Sequence, residues 1–83
     1  MIGDDIITLK VCEGSAVAGR SIADIGLKGY GKTLLAIHRG SETLNAPDEN
    51  TVLQPDDLAV LLGSKIGISI VEDLFKNPKT IRD

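Results

Sequence analysis

The strongest constraint on this chain is a pair of short segments with no polar position, Leu34–Ile37 and Leu58–Leu62. Turn-forming residues flank both: Gly31 and Gly40 bound the first, and Gln54-Pro55-Asp56-Asp57 and Gly63 bound the second. Read as strands over about 32–39 and 57–62, each is apolar on both faces. Leu34 and Ala36 oppose Leu35 and Ile37, and Leu58, Val60 and Leu62 oppose Ala59 and Leu61. Strands of this kind are normally covered on both sides. Yet 83 residues make one domain with a small core, hiding only somewhat more than roughly 60 % of the unfolded surface. A second cover therefore has to come from outside the chain, and a self-complementary two-fold dimer is the commonest solution.

The remaining segments supply one layer. Residues 6–12 set Ile7, Leu9 and Val11 against Thr8 and Lys10, a period of two that reads as a strand with one buried face, and Glu13-Gly14-Ser15 ends it. A short helix is expected over about 19–25, with Ile22 and Ile25 on one face. Gly26 stands where a left-handed helix terminus belongs, and Leu27 is placed to pack back on the last turn. Gly40-Ser41 is a two-residue hairpin signal of the Gly-first type, with a return strand over about 42–46. Two turns, 47–50 and 54–57, enclose an extended Thr51-Val52-Leu53. From Ser64 the period changes to helical, with Ile66, Ile70, Val71, Leu74 and Phe75 forming a stripe. Ser69 with Glu72 reads as a better capping box than a start at Ser64, because Gly67 disfavours the earlier start. Asn77-Pro78 ends this helix and opens a polar tail, 77–83. The expected fold is α+β over residues 5–76: a small mixed or antiparallel four-stranded sheet, one short and one longer helix, and a two-fold dimer. Two helices are too few to cover both faces of such a sheet.

Composition narrows the function classes. Tyr30 and Phe75 are the only aromatic residues and the net charge is −3, which argues against base-stacking platforms and nucleic-acid binding. Cys12 is the only cysteine and reads as a small buried apolar residue; His38 is the only histidine, so clusters of histidine or thiolate ligands for a metal are excluded. Apolar stretches reach five residues at most, and Met1-Ile2-Gly3-Asp4-Asp5 does not resemble a signal peptide, so the expectation is cytoplasmic. Gly26 through Thr33 matches the literal P-loop pattern G-x-x-x-x-G-K-[ST]. That loop needs a strand before it and a helix after it, and here a helix precedes and a strand follows. Lys32 is accordingly expected to be an exposed connector lysine. His38 lies in a strand with no nucleophile elbow, and Asp56-Asp57 reads as turn formers and solvated charge, so no catalytic constellation stands out and no enzyme is expected.

Four stretches in the right order together resemble the C-terminal domain of the regulator-of-potassium-conductance family (TrkA-C). They are Val11-Cys-Glu-Gly-Ser15 with Val17–Ile22, Ala36-Ile-His-Arg-Gly40, Pro47–Leu53, and Gln54–Asp57 with Leu58–Gly63. One departure is visible: the family has Gly-Asp at the last turn where this chain has Asp56-Asp57, and Asp is expected to tolerate the left-handed geometry with some strain.

The resemblance implies a regulatory homodimer acting on a potassium channel or transporter, or on another membrane carrier, in the same chain or a separate one. It also implies that a Rossmann-type nucleotide-binding domain commonly precedes such a domain. This chain has no G-x-G-x-x-G after a strand. Some members of the family bind cyclic di-AMP at the dimer interface with an Arg and an Asn from these strands. That site maps onto Arg39 and Asn45, with His38 able to add a donor or a flat face. The alternative is a dimerisation or interaction module of a membrane carrier that takes no small ligand.

Overall fold

Strand β4 (Leu58–Gly63), apolar on both sides in the sequence, lies inside the sheet, between β1 (Asp5–Lys10) and β2 (Lys32–Arg39). The computed structural model describes residues 4–78. With β3 (Glu42–Asn45) on the far side of β2, the order is β1-β4-β2-β3 and every pairing is antiparallel. Arg39 pairs with Glu42 across Gly40-Ser41, and Gly40 has φ 60, the left-handed first position of a Gly-first hairpin turn.

The register assigns each apolar residue to a face. Ile7, Leu9, Leu34, Ile37, Leu44, Ala59 and Leu61 belong to or pack against a single core. Ile6, Thr8 and Lys10 alternate to the other side, opposite Leu62, Val60 and Leu58. A register shift between Leu34 and Ala36 leaves Leu35 as an extra residue, half-buried and outside the core.

All helical structure lies on one face. Helix α1 (Ile22–Ile25) starts at Ser21, whose Oγ accepts from the Asp24 amide at 3.2 Å, and ends at Gly26, left-handed at φ 70. A 3₁₀ turn, Leu27–Tyr30, buries Leu27 beside β2. Helix α2 (Ile68–Lys76) buries Val71 and Phe75 while Ile70 and the preceding Ile66 stay exposed. The Cα atoms span only 18 Å in the thinnest direction, which accommodates one sheet and one covering layer.

Several local expectations differ from the structure, each for a tertiary reason. The first strand leaves the sheet at Lys10, because Val11 N–H donates to Asp57 O (2.8 Å) and Cys12 N–H to Phe75 O (2.9 Å). Cys12 is half-buried there and not fully buried. Thr51–Leu53, by contrast, is extended as expected and lies outside the sheet: Val52 forms an isolated bridge with Ser21, and Leu53 exchanges amide bonds with Gly19 and Arg20. Gly67, at φ 74, occupies the N-cap position of α2 in place of Ser69, and Ser64 Oγ instead accepts from the Ile66 amide. A left-handed residue is needed to turn the chain into the helix, and glycine adopts that conformation without strain. Residues 79–83 of the expected polar tail lie outside the described residues.

Lys32 is the largest departure. It is 2 % exposed, and its Nζ donates to Tyr30 O (3.1 Å) and Ile66 O (3.0 Å). The ammonium ties the 3₁₀ turn to the segment entering α2, and the chain leaves room for its stem at Gly63. A Cβ added there would lie 2.6 Å from Gly31 O and 2.7 Å from Lys32 Cδ. Helix α1 precedes Gly26 and β2 follows Gly31, the reverse of the order a phosphate-binding loop requires.

Candidate functional site

The open face of the sheet is mixed in character. Cross-strand pairing sets Thr43, His38, Leu58 and Lys10 in one row and Asn45, Ala36, Val60 and Thr8 in the next. Ile6 is 66 % exposed and Leu58 38 %, and Val60, Leu62, Leu35 and Ala36 are half-buried without touching the core. Apolar side chains thus fill the middle of the face and polar ones fill its hairpin side. His38 and Asn45 are both exposed there, and His38 Nδ1 lies 3.0 Å from Thr43 Oγ1. The third residue singled out in the sequence, Arg39, alternates away from them.

Arg39 reaches the last turn. Its Nε donates to Asp57 Oδ1 (2.9 Å) and its Nη2 to Asp57 Oδ2 (2.8 Å), a two-pronged ion pair, and Nη2 also donates to Val52 O at 2.9 Å. Nη1 makes no hydrogen bond among the described residues, and the side chain is 29 % exposed. Asp57 is a buried residue, with a side chain only 2 % exposed, and so is not the solvated turn carboxylate the sequence led us to expect. Burial by itself would raise its pKa. Hydrogen bonds from Arg39 and the Gln54 amide, with the charge of Arg39, outweigh that and hold the carboxyl below the ordinary aspartate range. The same pairing keeps the Arg39 guanidinium firmly charged, burial opposing it only in part.

The structure therefore brings His38 and Asn45 together on one face and sets Arg39 at the end of the hairpin strand, its forked edge engaged by Asp57. A sequence signal for Asp57 existed. Period-two alternation back from Leu61 and Ala59 puts residue 57 on the inward side, and a buried carboxylate requires a cation. Asp56 carries φ 74 beside it, the left-handed turn expected at this non-glycine position.

A groove of about 570 Å³ opens elsewhere, between α1, the 3₁₀ turn and residues 46–49, and none of His38, Arg39 or Asn45 lines it. Among the described residues no His, Cys, Asp and Glu cluster is arranged to hold a metal ion. No helix among them is long and apolar enough to cross a membrane.

Comparison with known proteins places this geometry. The Trk system potassium uptake protein TrkA of Vibrio alginolyticus is 44 % identical over 62 residues, which is 75 % of this chain and 13 % of that protein. The chain thus spans a small part of that relative. The solved RCK (regulator of conductance of K⁺) C domain of the potassium transport protein KtrA, in complex with cyclic diadenosine monophosphate, superposes with a TM-score of 0.75. It is 31 % identical, and the match covers 83 % of this chain and 80 % of that one. The model of the TrkA-C domain matches residues 6–76, from β1 to the last turn of α2, and the chain belongs to the TrkA-C domain family.

Proposed function

We propose that this chain is a regulatory domain of a potassium uptake or channel system, which dimerises through the open face of its sheet and binds a cyclic dinucleotide, cyclic di-AMP, at the hairpin side of that interface. The observation that carries the reading is the face itself. A four-stranded sheet has its helices on one side only and presents Ile6, Leu58, Val60 and Leu62 on the other. Burying one such side chain contributes about 1.5–3 kcal/mol, so a second copy covering the face would add substantially to a domain this small.

Asn45 and His38 border the apolar patch, where Asn45 can hold a base edge and the His38 ring can donate or stack. Arg39 stands at the strand end and can meet a phosphate. His38 and Asn45 lie on the open face and Arg39 alternates to the other side, so a ligand touching all three would wrap the strand end. Two copies around a two-fold axis would match two equivalent phosphates and two bases. The supporting comparison is the KtrA domain solved with cyclic diadenosine monophosphate. Regulation follows from differential affinity: a ligand that binds one arrangement of the dimer better shifts the population toward it, and near-complete switching takes about 5.5 kcal/mol of difference. The partner is a membrane channel or transporter, in the same chain or another, and a Rossmann-type nucleotide-binding domain is the expected neighbour. The domain then works in the cytoplasm, held at the membrane by that partner.

Sedimentation equilibrium at micromolar concentration, followed by calorimetric titration with cyclic di-AMP, tests both parts. A clean 8.8 kDa species sinks the dimer. The second reading is a dimerisation module of a membrane carrier without a small ligand, favoured by the engagement of the Arg39 fork with Asp57. An intact dimer that gives no heat with the nucleotide selects it.

A further inference from the structure

We infer that Asp57 is a positioning residue for ligand capture: it holds the Nε and Nη2 edge of Arg39, so that an anionic ligand is met by Nη1 alone and the ion pair survives binding. The inference rests on the reading that Arg39 contacts a cyclic dinucleotide phosphate.

A guanidinium has five N–H donors in one plane. Three of Arg39's acceptor contacts are given by the fold: Asp57 Oδ1 on Nε, and Asp57 Oδ2 and Val52 O on Nη2. Those three bonds fix the plane of the group. The two N–H of Nη1 remain, on a side chain that is 29 % exposed. Among the described residues those two N–H are the donors left for a phosphate arriving from solvent.

The alternative is that the phosphate displaces the carboxylate and takes the fork for itself. Burial decides against it. The Asp57 side chain is 2 % exposed, and among the described residues its one hydrogen bond apart from those of Arg39 is from the Gln54 amide at 2.9 Å. Removing Arg39 would leave a charged carboxylate out of water with a single neutral donor, the arrangement proteins avoid most strongly. A ligand phosphate, solvated before it binds, gains no more from the fork than Asp57 does. Sharing keeps both anions paired. Asp57 also belongs to the turn that enters β4, and Val11 N–H donates to its carbonyl at 2.8 Å, so the acceptor is itself held by the residue that follows β1. The orientation of Arg39 is thus set before any ligand arrives.

Nuclear magnetic resonance of the arginine side chains distinguishes the arrangements. The ¹⁵N-labelled 83-residue chain is titrated with cyclic di-AMP at low temperature, where rotation of an ion-paired guanidinium is slow and Nη1 and Nη2 protons resolve. The expected result is an Arg39 Hε signal that keeps its carboxylate-bonded position while the Nη1 protons shift with saturation. An Hε signal that moves in step with Nη1 means the carboxylate is displaced, and overturns the inference while leaving the ligand reading intact. Calorimetric binding with no shift at any Arg39 N–H removes Arg39 from the site. Absence of binding by both methods overturns the ligand reading, and this inference with it.

Discussion

Arg39 and Asp57, eighteen residues apart, form the most complete side-chain ion pair among the described residues, two parallel bonds of 2.9 and 2.8 Å between the end of β2 and the turn before β4. Because the Arg39 Nη2 also reaches Val52 O, one side chain ties together the hairpin strand, the crossing segment and the last turn. Arg39 is therefore structural before it is anything else.

That changes what alanine does at this position. Alanine in place of an arginine that only met ligand would leave a folded protein with weaker binding. With Asp57 buried, the substitution strands a carboxylate, and we expect a loss of about 2–4 kcal/mol, below the figure for a fully buried pair because Arg39 is 29 % exposed. Arg39→Lys keeps a charge beside Asp57 but loses the fork and the bond to Val52 O, and should recover only part of the stability while lacking the proposed Nη1 contact. Urea unfolding of the three proteins checks this. A midpoint for Arg39→Ala equal to that of the wild type contradicts it.

The pair also predicts a pH dependence. Asp57 has a folded-state pKa below its unfolded-state value. Its contribution is therefore fully present above the unfolded value of about 3.9 and is lost as pH falls through the folded one. The urea midpoint of the wild type should hold between neutral pH and about pH 5 and drop below about pH 4. The Asp57→Asn protein, less stable at neutral pH, should show a shallower acid drop. Parallel acid limbs in the two proteins would exclude the linkage.

Lys32→Met tests the buried ammonium. Methionine keeps most of the stem, and the carbonyls of Tyr30 and Ile66 lose their donor. Destabilisation of about 1–3 kcal/mol is expected, well above the value for an exposed lysine, with no effect on nucleotide affinity. Thermal melting and calorimetry separate the two readouts, and a lost nucleotide affinity at unchanged stability would point back to a phosphate-binding loop.

Charges placed on the two faces of the sheet should act differently. Ile37 is fully buried in the core, so Ile37→Glu should prevent folding. Leu58→Glu and Leu35→Glu act on the open side and should give a folded monomer by circular dichroism and sedimentation. A Leu58→Glu protein that still sediments as a dimer would move the proposed interface off this face.

Asp56 offers a gain. Its φ of 74 is strained for an L-residue, and the exposed pair it makes with Lys10, at 3.5 Å, contributes little. Asp56→Gly should raise stability by about 0.5–1 kcal/mol, read as a higher urea midpoint with an unchanged slope. A lower midpoint would show that the ion pair outweighs the strain.

Local chemistry wrote the succession of elements into the sequence. Alternation placed Ile7 and Leu9 on one face of β1, Gly40 set the hairpin, Gly26 ended α1, and the change of period after Ser64 announced α2. The doubly apolar Leu58–Leu62 run foretold an uncovered sheet face, because the number of covering elements can be counted in the sequence. His38 and Asn45 were legible as hairpin residues for the same reason: alternation and turn type act within a few residues. Which strand lies beside which was settled only when long-range surfaces met, with β4 inserting between β1 and β2. That assembly buried Lys32 against carbonyls from two distant segments, moved the N-cap of α2 to Gly67, and turned Arg39 toward Asp57. The desolvation that decides a charge's partner depends on everything packed around it, and so belongs to the tertiary structure.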